Sequence, residues 1–197
     1  MAKRLFDVLA AAIGLALLAL PGLVLALMIK LDSPGPVFFR QERVGRHGRT
    51  FRIHKFRTMR VDAERQGQLT VGEDARVTRT GRWLRAHRLD ELPQLIDVLR
   101  GDMSLVGPRP EVPRYVALYP PALRERVLAV RPGITDPASL AFRGEASQLA
   151  AAADPEREYV EVILPRKLAL AADYAARASL WTDLGVVART LKVLWSR

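Results

Sequence analysis

The longest apolar stretch of the chain runs from Val8 to Ile29 without a charged residue, enough to cover the roughly 20 residues that span a bilayer. It exceeds a secretory signal's apolar core of about 7–15 residues, and no cleavage signal follows it. Pro21-Gly22 sit in its middle, Lys3 and Arg4 precede it, and Lys30, Arg40, Arg43, Arg46, Arg49 and Arg52 follow. Both flanks therefore favour the cytoplasmic side. Two readings fit: a straight spanning helix, or a re-entrant one broken at Pro21, whose missing backbone donor bends the axis and lets the chain return. Residues 1–32 are expected to form this membrane helix and residues 33–197 a single domain.

After Ser33-Pro34-Gly35-Pro36, the runs Val37-Phe38-Phe39 and Thr50 to Phe56 read as strands joined by a basic loop around Gly45 and Gly48, which predicts a small β-hairpin. Residues 60–81 are polar and unpatterned, as in a mobile loop over a site. Leu92, Leu95, Ile96 and Leu99 recur at i, i+3, i+4 and i+7, with Gly101 placed to stop a short amphipathic helix. A further short helix is expected near Ala122 to Ala129. Asp154-Pro155 make a cap and first-position pair opening a helix that Pro165 interrupts before it resumes to about Ala176. Leu180, Leu184, Val187, Leu191 and Leu194 form one stripe, with Arg189 and Lys192 off it and Trp181 and Trp195 near its ends. A helix at a lipid surface looks like this, and so does a core helix. The class expected is α+β, mainly helical.

Composition narrows the chemistry. The 197 residues suit one ordinary domain. A net charge of +10, from 31 Lys and Arg against 21 Asp and Glu, points to an anionic partner: nucleic acid, anionic lipid or phosphorylated substrate. The cations are spread along the chain with few aromatics between them to stack bases, which argues against nucleic acid. Zero cysteines exclude disulfides, thiolate catalysis and cysteine-held zinc, and the three histidines are scattered.

The candidate chemistry gathers between His87 and Pro110. Asp90 and Glu91 stand side by side at the start of the predicted helix, where Pro93 is tolerated because the first turn needs no internal donors. They fit a plain N-cap and a dipole-favoured acid, or a reactive pair. Arg82, Arg85, His87 and Arg88 come just before, and Gly107-Pro108-Arg109-Pro110 just after. The two prolines stiffen the backbone around Arg109, and a pre-set guanidinium suits bidentate binding of phosphate. Lys55-Phe56-Arg57 ends the second strand, and Arg131 stands in what reads as a turn, Arg131-Pro132-Gly133-Ile134-Thr135.

Taken in order, Lys3-Arg4-Leu5-Phe6-Asp7, Pro34-Gly35-Pro36-Val37-Phe38, Lys55-Phe56-Arg57-Thr58-Met59, Leu89-Asp90-Glu91-Leu92-Pro93-Gln94-Leu95, Gly101-Asp102-Met103-Ser104-Leu105-Val106-Gly107-Pro108-Arg109-Pro110 and Arg131-Pro132-Gly133-Ile134-Thr135 resemble the bacterial sugar transferases, the monotopic phosphoglycosyl transferases. The resemblance covers nearly the whole chain. It implies a re-entrant membrane helix broken at Pro21, amphipathic interfacial helices around one catalytic domain (33–197), and a place at the cytoplasmic face of the bacterial inner membrane. It implies transfer of a sugar phosphate from a nucleotide diphosphate sugar, usually a UDP-sugar, to polyprenol phosphate, the first membrane step of glycan assembly. By this similarity Asp90 is the nucleophile, Glu91 its partner at Mg²⁺, and Lys55, Arg85, Arg109 and Arg131 meet phosphates. Membrane lipid is an implied partner and a homodimer is compatible with it. The alternative is a non-catalytic membrane scaffold of the same fold. Two departures stand out: Leu20 precedes Pro21 where many members have Ser, and Asp136-Pro137-Ala138-Ser139-Leu140 replaces a Gly-x-Ala-Gln continuation. The resemblance also implies a minimal version, without the extra transmembrane helices of larger members.

Overall fold

A computed structural model describes residues 1–66 and 69–195. Helix α1, Ala2–Asp32, stays helical through Pro21 and shows most of its leucines to the outside. Its buried side chains lie on one face along its length: Asp7 and Ala11 near the start, Leu25 and Ile29 near the end. Ala11 packs with Leu95, Val98 and Met103, while Leu25 and Ile29 pack with Phe56 and Leu84. Both ends of the helix thus seat on the same domain. Lys3 donates to the Ser104 hydroxyl and the Val106 carbonyl and pairs with Asp183, and buried Asp7 accepts from Ser104 Oγ at 2.8 Å.

The hairpin forms as two antiparallel pairs in one register, β1 (Phe38–Phe39) with β4 (Lys55–Phe56) and β2 (Glu42–Val44) with β3 (Thr50–Arg52). Its turn carries His47 and Gly48 at positive φ. The segment read as a loop from 60 to 81 is partly ordered. It contains a 3-10 turn, Val61–Gln66, and an isolated bridge between Met59 and Val77, and its last residues already belong to α2, Arg79–Ala86. Gly67 and Gln68 lie outside the described residues. Thr78 caps α2 by accepting from Gly81 N–H at 3.0 Å, and a Cβ on Gly81 would fall 2.0 Å from the Thr58 carbonyl oxygen. Only glycine lets α2 lie this close to the strand end.

The helix expected to start at Asp90 is instead a 3-10 turn, Leu89–Gln94, followed by the short α3, Leu95–Arg100, which Gly101 stops at φ 91°. Arg88, at φ 57°, makes the turn into it. A 3-10 turn advances each residue by about 120° rather than 100°, so the predicted stripe loses its phase. Leu95 and Val98 are buried, Asp97 between them is fully buried, and Leu99 is exposed. β5 (Ser104–Val106) pairs in parallel with β6 (Gly133–Thr135), a ladder the sequence reading did not contain.

The remaining elements are helices: α4 (Pro113–Val116), α5 (Pro121–Leu128), α6 (Pro137–Ala141), α7 (Glu145–Ala151), α8 (Pro155–Glu158), α9 (Leu164–Arg177) and α10 (Leu180–Trp195). Asp154 caps α8 as expected, accepting from Glu156 and Arg157 N–H at 3.0 Å. Pro165 does not break the chain of turns, because a π-helical turn at Tyr159–Ile163 lies before it and Leu164 N–H bonds back to the Tyr159 carbonyl. In α10 the inward side chains are Asp183 and Val186, while Trp181, Leu184, Leu191 and Trp195 project outward. The side chain of Leu194 lies outside the described residues. The main core is built from α4, α5 and α9 around Tyr115, Tyr159, Ile163 and Leu168.

Candidate active site

Asp90 and Glu91 are buried, although both are carboxylates, and buried charge needs partners. Lys55 supplies one to each: its Nζ lies 3.0 Å from Asp90 Oδ2 and 3.0 Å from Glu91 Oε1. Arg109 grips Glu91 with both terminal nitrogens, 3.2 Å to Oε2 and 2.5 Å to Oε1. Burial by itself pushes the Glu91 carboxyl upward, but Arg109 and then Lys55 hold it well below the usual carboxylate range. Arg109 is raised in turn, chiefly by Glu91.

Each of these side chains is placed by a connection distant in sequence. Lys55 stands on β4, where its neighbour His54 is tied to Asp97 of α3 twice, by backbone N–H at 2.8 Å and by Nδ1 at 2.5 Å. On its other side, Arg57 donates to Pro36, Pro34, Ser33 and Ile29 carbonyls and to Ser33 Oγ, closing the end of α1. Arg109 sits in a loop locked to β6: Gly107 N–H donates to Thr135 and Gly133 N–H to the Pro108 carbonyl. A Cβ on Gly133 would fall 2.0 Å from Gly107 N, so the close approach of the two motifs needs glycine. Asp136 accepts the Arg109 N–H at 3.4 Å and also caps α6 through Ser139 N–H at 2.7 Å. The Asp136-Pro137 pair carried the same cap-and-proline signal as Asp154-Pro155, so this role was readable.

The acidic pair borders a cavity of about 950 Å³ whose wall includes Lys55, Arg85, Arg109, Arg43 and Lys167. Arg85 reaches it from α2, with Nε donating to Thr58 Oγ1 at 2.9 Å. Its charge is disfavoured by burial and supported first by Asp90. Four of the expected polar residues, Asp90, Glu91, Lys55 and Arg109, therefore meet, and Arg85 faces the same space. Arg131 does not: it is absent from this wall, and its Nε donates to the Gly101 carbonyl at 2.9 Å. The last three residues of the motif read as a turn holding a cation form β6, whose backbone fixes the Arg109 loop. Pro21 lies within α1, away from the acidic pair in sequence and absent from the cavity wall.

The sequence reading missed Arg43 and Glu111. Arg43 donates to the Pro110 carbonyl and Gln41 and lies 3.7 Å from Glu111, which accepts from Tyr159 OH at 2.8 Å. Nothing local marks Arg43 apart from the other arginines of the hairpin; only its strand position aims it inward.

The family model for bacterial sugar transferases matches residues 1–197. A UDP-glucose:undecaprenyl-phosphate glucose-1-phosphate transferase of Caulobacter vibrioides is 45% identical over 197 residues, which cover 98% of this chain and 69% of that protein. A UDP-N-acetylgalactosamine-undecaprenyl-phosphate N-acetylgalactosaminephosphotransferase of Aeromonas hydrophila is 41% identical over 98% of this chain and 43% of its own length. An undecaprenyl-phosphate glucose phosphotransferase of Komagataeibacter xylinus is 42% identical over 96% of this chain and 35% of its own. The chain thus spans less than half the length of the latter two relatives.

Proposed function

The chain belongs to the bacterial sugar transferases, and on that premise we propose that it moves a sugar phosphate from a UDP-sugar to undecaprenyl phosphate through a covalent intermediate on Asp90. The observation that carries this reading is the contact of one lysine with two buried adjacent carboxylates on the wall of a cation-lined cavity. Glu91 has both oxygens bound to Arg109, whereas Asp90 is held through Oδ2 and its Oδ1 has no ion pair or hydrogen bond among the described residues. Of the two, Asp90 is the one free to act as nucleophile.

In the first step an Asp90 oxygen attacks the β-phosphorus, the bond to the bridging oxygen breaks, and UMP leaves with its electron pair. In the second, a phosphate oxygen of the lipid attacks the same phosphorus and the bond to Asp90 breaks, restoring the carboxylate. Lys55, Arg85 and Arg109 offset the diphosphate charge and fix its position, which is most of what phosphoryl transfer asks of a protein. Asp90 and Glu91 are hard oxygen donors of the kind Mg²⁺ takes and would hold it, Oδ1 of Asp90 being the oxygen not already engaged by Lys55 or Arg109. Bound there, Mg²⁺ would neutralise negative charge on the diphosphate.

The same reading places the protein at the cytoplasmic face of the bacterial inner membrane. It makes α1 re-entrant, supported by the seating of both Lys3 and Ile29 on one domain. It makes the outward Trp181, Leu184, Leu191 and Trp195 of α10 an interfacial face.

Purified protein mixed with UDP-sugar and no lipid should release UMP in a burst no larger than the enzyme amount. Asp90→Asn should abolish the burst while the protein still folds. Wild-type turnover from a folded Asp90→Asn protein defeats the assignment and leaves another nucleophile, whereas no UMP release by the wild type with any UDP-sugar leaves the non-catalytic scaffold.

A further inference from the structure

Two arginines of the hairpin are held together with no ion pair to an acid among the described residues. Arg40 Nη2 donates to the Arg52 carbonyl at 2.9 Å, and Arg52 Nη2 donates to the Arg40 carbonyl at 3.0 Å. Each side chain thus lies across the partner strand. Neither makes an ion pair among the described residues, although Glu42 is the cross-strand partner of Arg52. Arg40 Nε is buried and has no hydrogen-bond partner. Like charges fixed side by side on a sheet cost stability unless an anion joins them. Both residues line the cavity that also holds Asp90 and Glu91.

The register gives this pair an apolar neighbour. Strand residues two apart share a face, so Phe38 stands on the face of Arg40. Phe38 stacks on Phe56 with ring centroids 5.6 Å apart and remains 39% exposed. Phe56 in turn packs on Leu25 and Ile29 of α1, whose outer side shows Leu20, Leu23 and Leu27. Half-exposed Phe38 is therefore the apolar border of the two guanidiniums, backed by a buried cluster that reaches α1.

We propose that Arg40 and Arg52, bordered by Phe38, bind the phosphate head of the lipid acceptor, separately from the Lys55, Arg85 and Arg109 set that takes the donor diphosphate. A phosphate carrying a long hydrocarbon chain uses both parts: two guanidiniums for its oxygens and the exposed side of Phe38 for the start of its tail. This assignment rests on the transferase reading above and adds to it where the second substrate enters.

The test separates the two half-reactions. In the double variant Arg40→Gln/Arg52→Gln, the UMP burst from UDP-sugar without lipid should keep its wild-type amplitude and rate. The KM for undecaprenyl phosphate in nanodiscs should rise at least tenfold, with partial recovery in the double lysine variant. Phe38→Ala should raise KM for undecaprenyl phosphate but not for a water-soluble short-chain prenyl phosphate. Inorganic phosphate should compete with the lipid in the wild type and lose that effect in the double variant. Loss of the burst assigns the pair to the donor site or the fold and overturns the proposal, as does an unchanged KM. Binding to vesicles doped with undecaprenyl phosphate reads the site without turnover. A double variant that binds like wild type refutes it. If the wild type shows no burst with any UDP-sugar yet its lipid binding depends on the pair, the transferase reading has failed and the lipid site stands.

Discussion

Glu91 shows how far one side chain depends on its partners. Its carboxyl is held well below the ordinary range by Arg109 and Lys55 against the opposing effect of burial. A carboxyl lowered in the folded state contributes stability that is fully present above its unfolded pKa, about 4.3, and is lost as pH falls through the lower folded value. Glu91→Gln removes that contribution and leaves Arg109 facing a neutral group, at a cost of about 2 kcal/mol given the partial exposure of Arg109. The difference in thermal stability between wild type and Glu91→Gln should be constant from pH 8 to pH 5 and shrink below about pH 4. A difference that disappears already near pH 6 would show that the carboxyl is not lowered. Asp97 makes a related point: although an acid, it is fully buried, because it anchors His54, the residue before Lys55.

At the scale of elements, the end of α1 and the end of β4 are one unit. Four carbonyls and a hydroxyl around Ser33 converge on the buried guanidinium of Arg57, where a helix end would otherwise expose unpaired acceptors. Arg57→Gln leaves most of them unpaired, at on the order of 3 kcal/mol, or a loss of about 10 °C in melting temperature for a domain of this size. Thermal unfolding in detergent measures this. Because Lys55 lies two residues before Arg57, the UMP burst should also slow. A variant with wild-type melting would mean that the turn is held by other contacts. The short α3 and the Leu89–Gln94 turn obey the same logic: the 3-10 turn lets Asp90 and Glu91 both reach Lys55.

For the whole molecule, the seating of both ends of α1 on one domain bears directly on topology. The chain has no cysteine, so Ala2→Cys and Leu31→Cys each report a single position. In intact cells both should react only after the inner membrane is made permeable, or from the cytoplasmic side of inverted vesicles. Labelling of Ala2→Cys from the periplasm would establish a spanning helix. The outer row of Trp181, Leu184, Leu191 and Trp195 on α10 stands clear of the protein interior. Val186 of this helix faces the core and the tryptophans face outward.

What the sequence determined by itself was local. The apolar run of α1, the hairpin, the Asp154 cap and the Gly101 stop each follow from hydrophobicity or turn chemistry within a few residues, and the adjacent Asp90 and Glu91 could be singled out for the same reason. The direction of each arginine was decided only by tertiary structure. Arg109 turns to Glu91, Arg131 to the Gly101 carbonyl and Arg57 to the end of α1, although all three stand beside apolar or proline residues in similar motifs. A guanidinium can donate to a carboxylate, a carbonyl or a phosphate. Which one it meets depends on chain segments far away in sequence, as in the pairing of β5 with β6 that fixes the Arg109 loop.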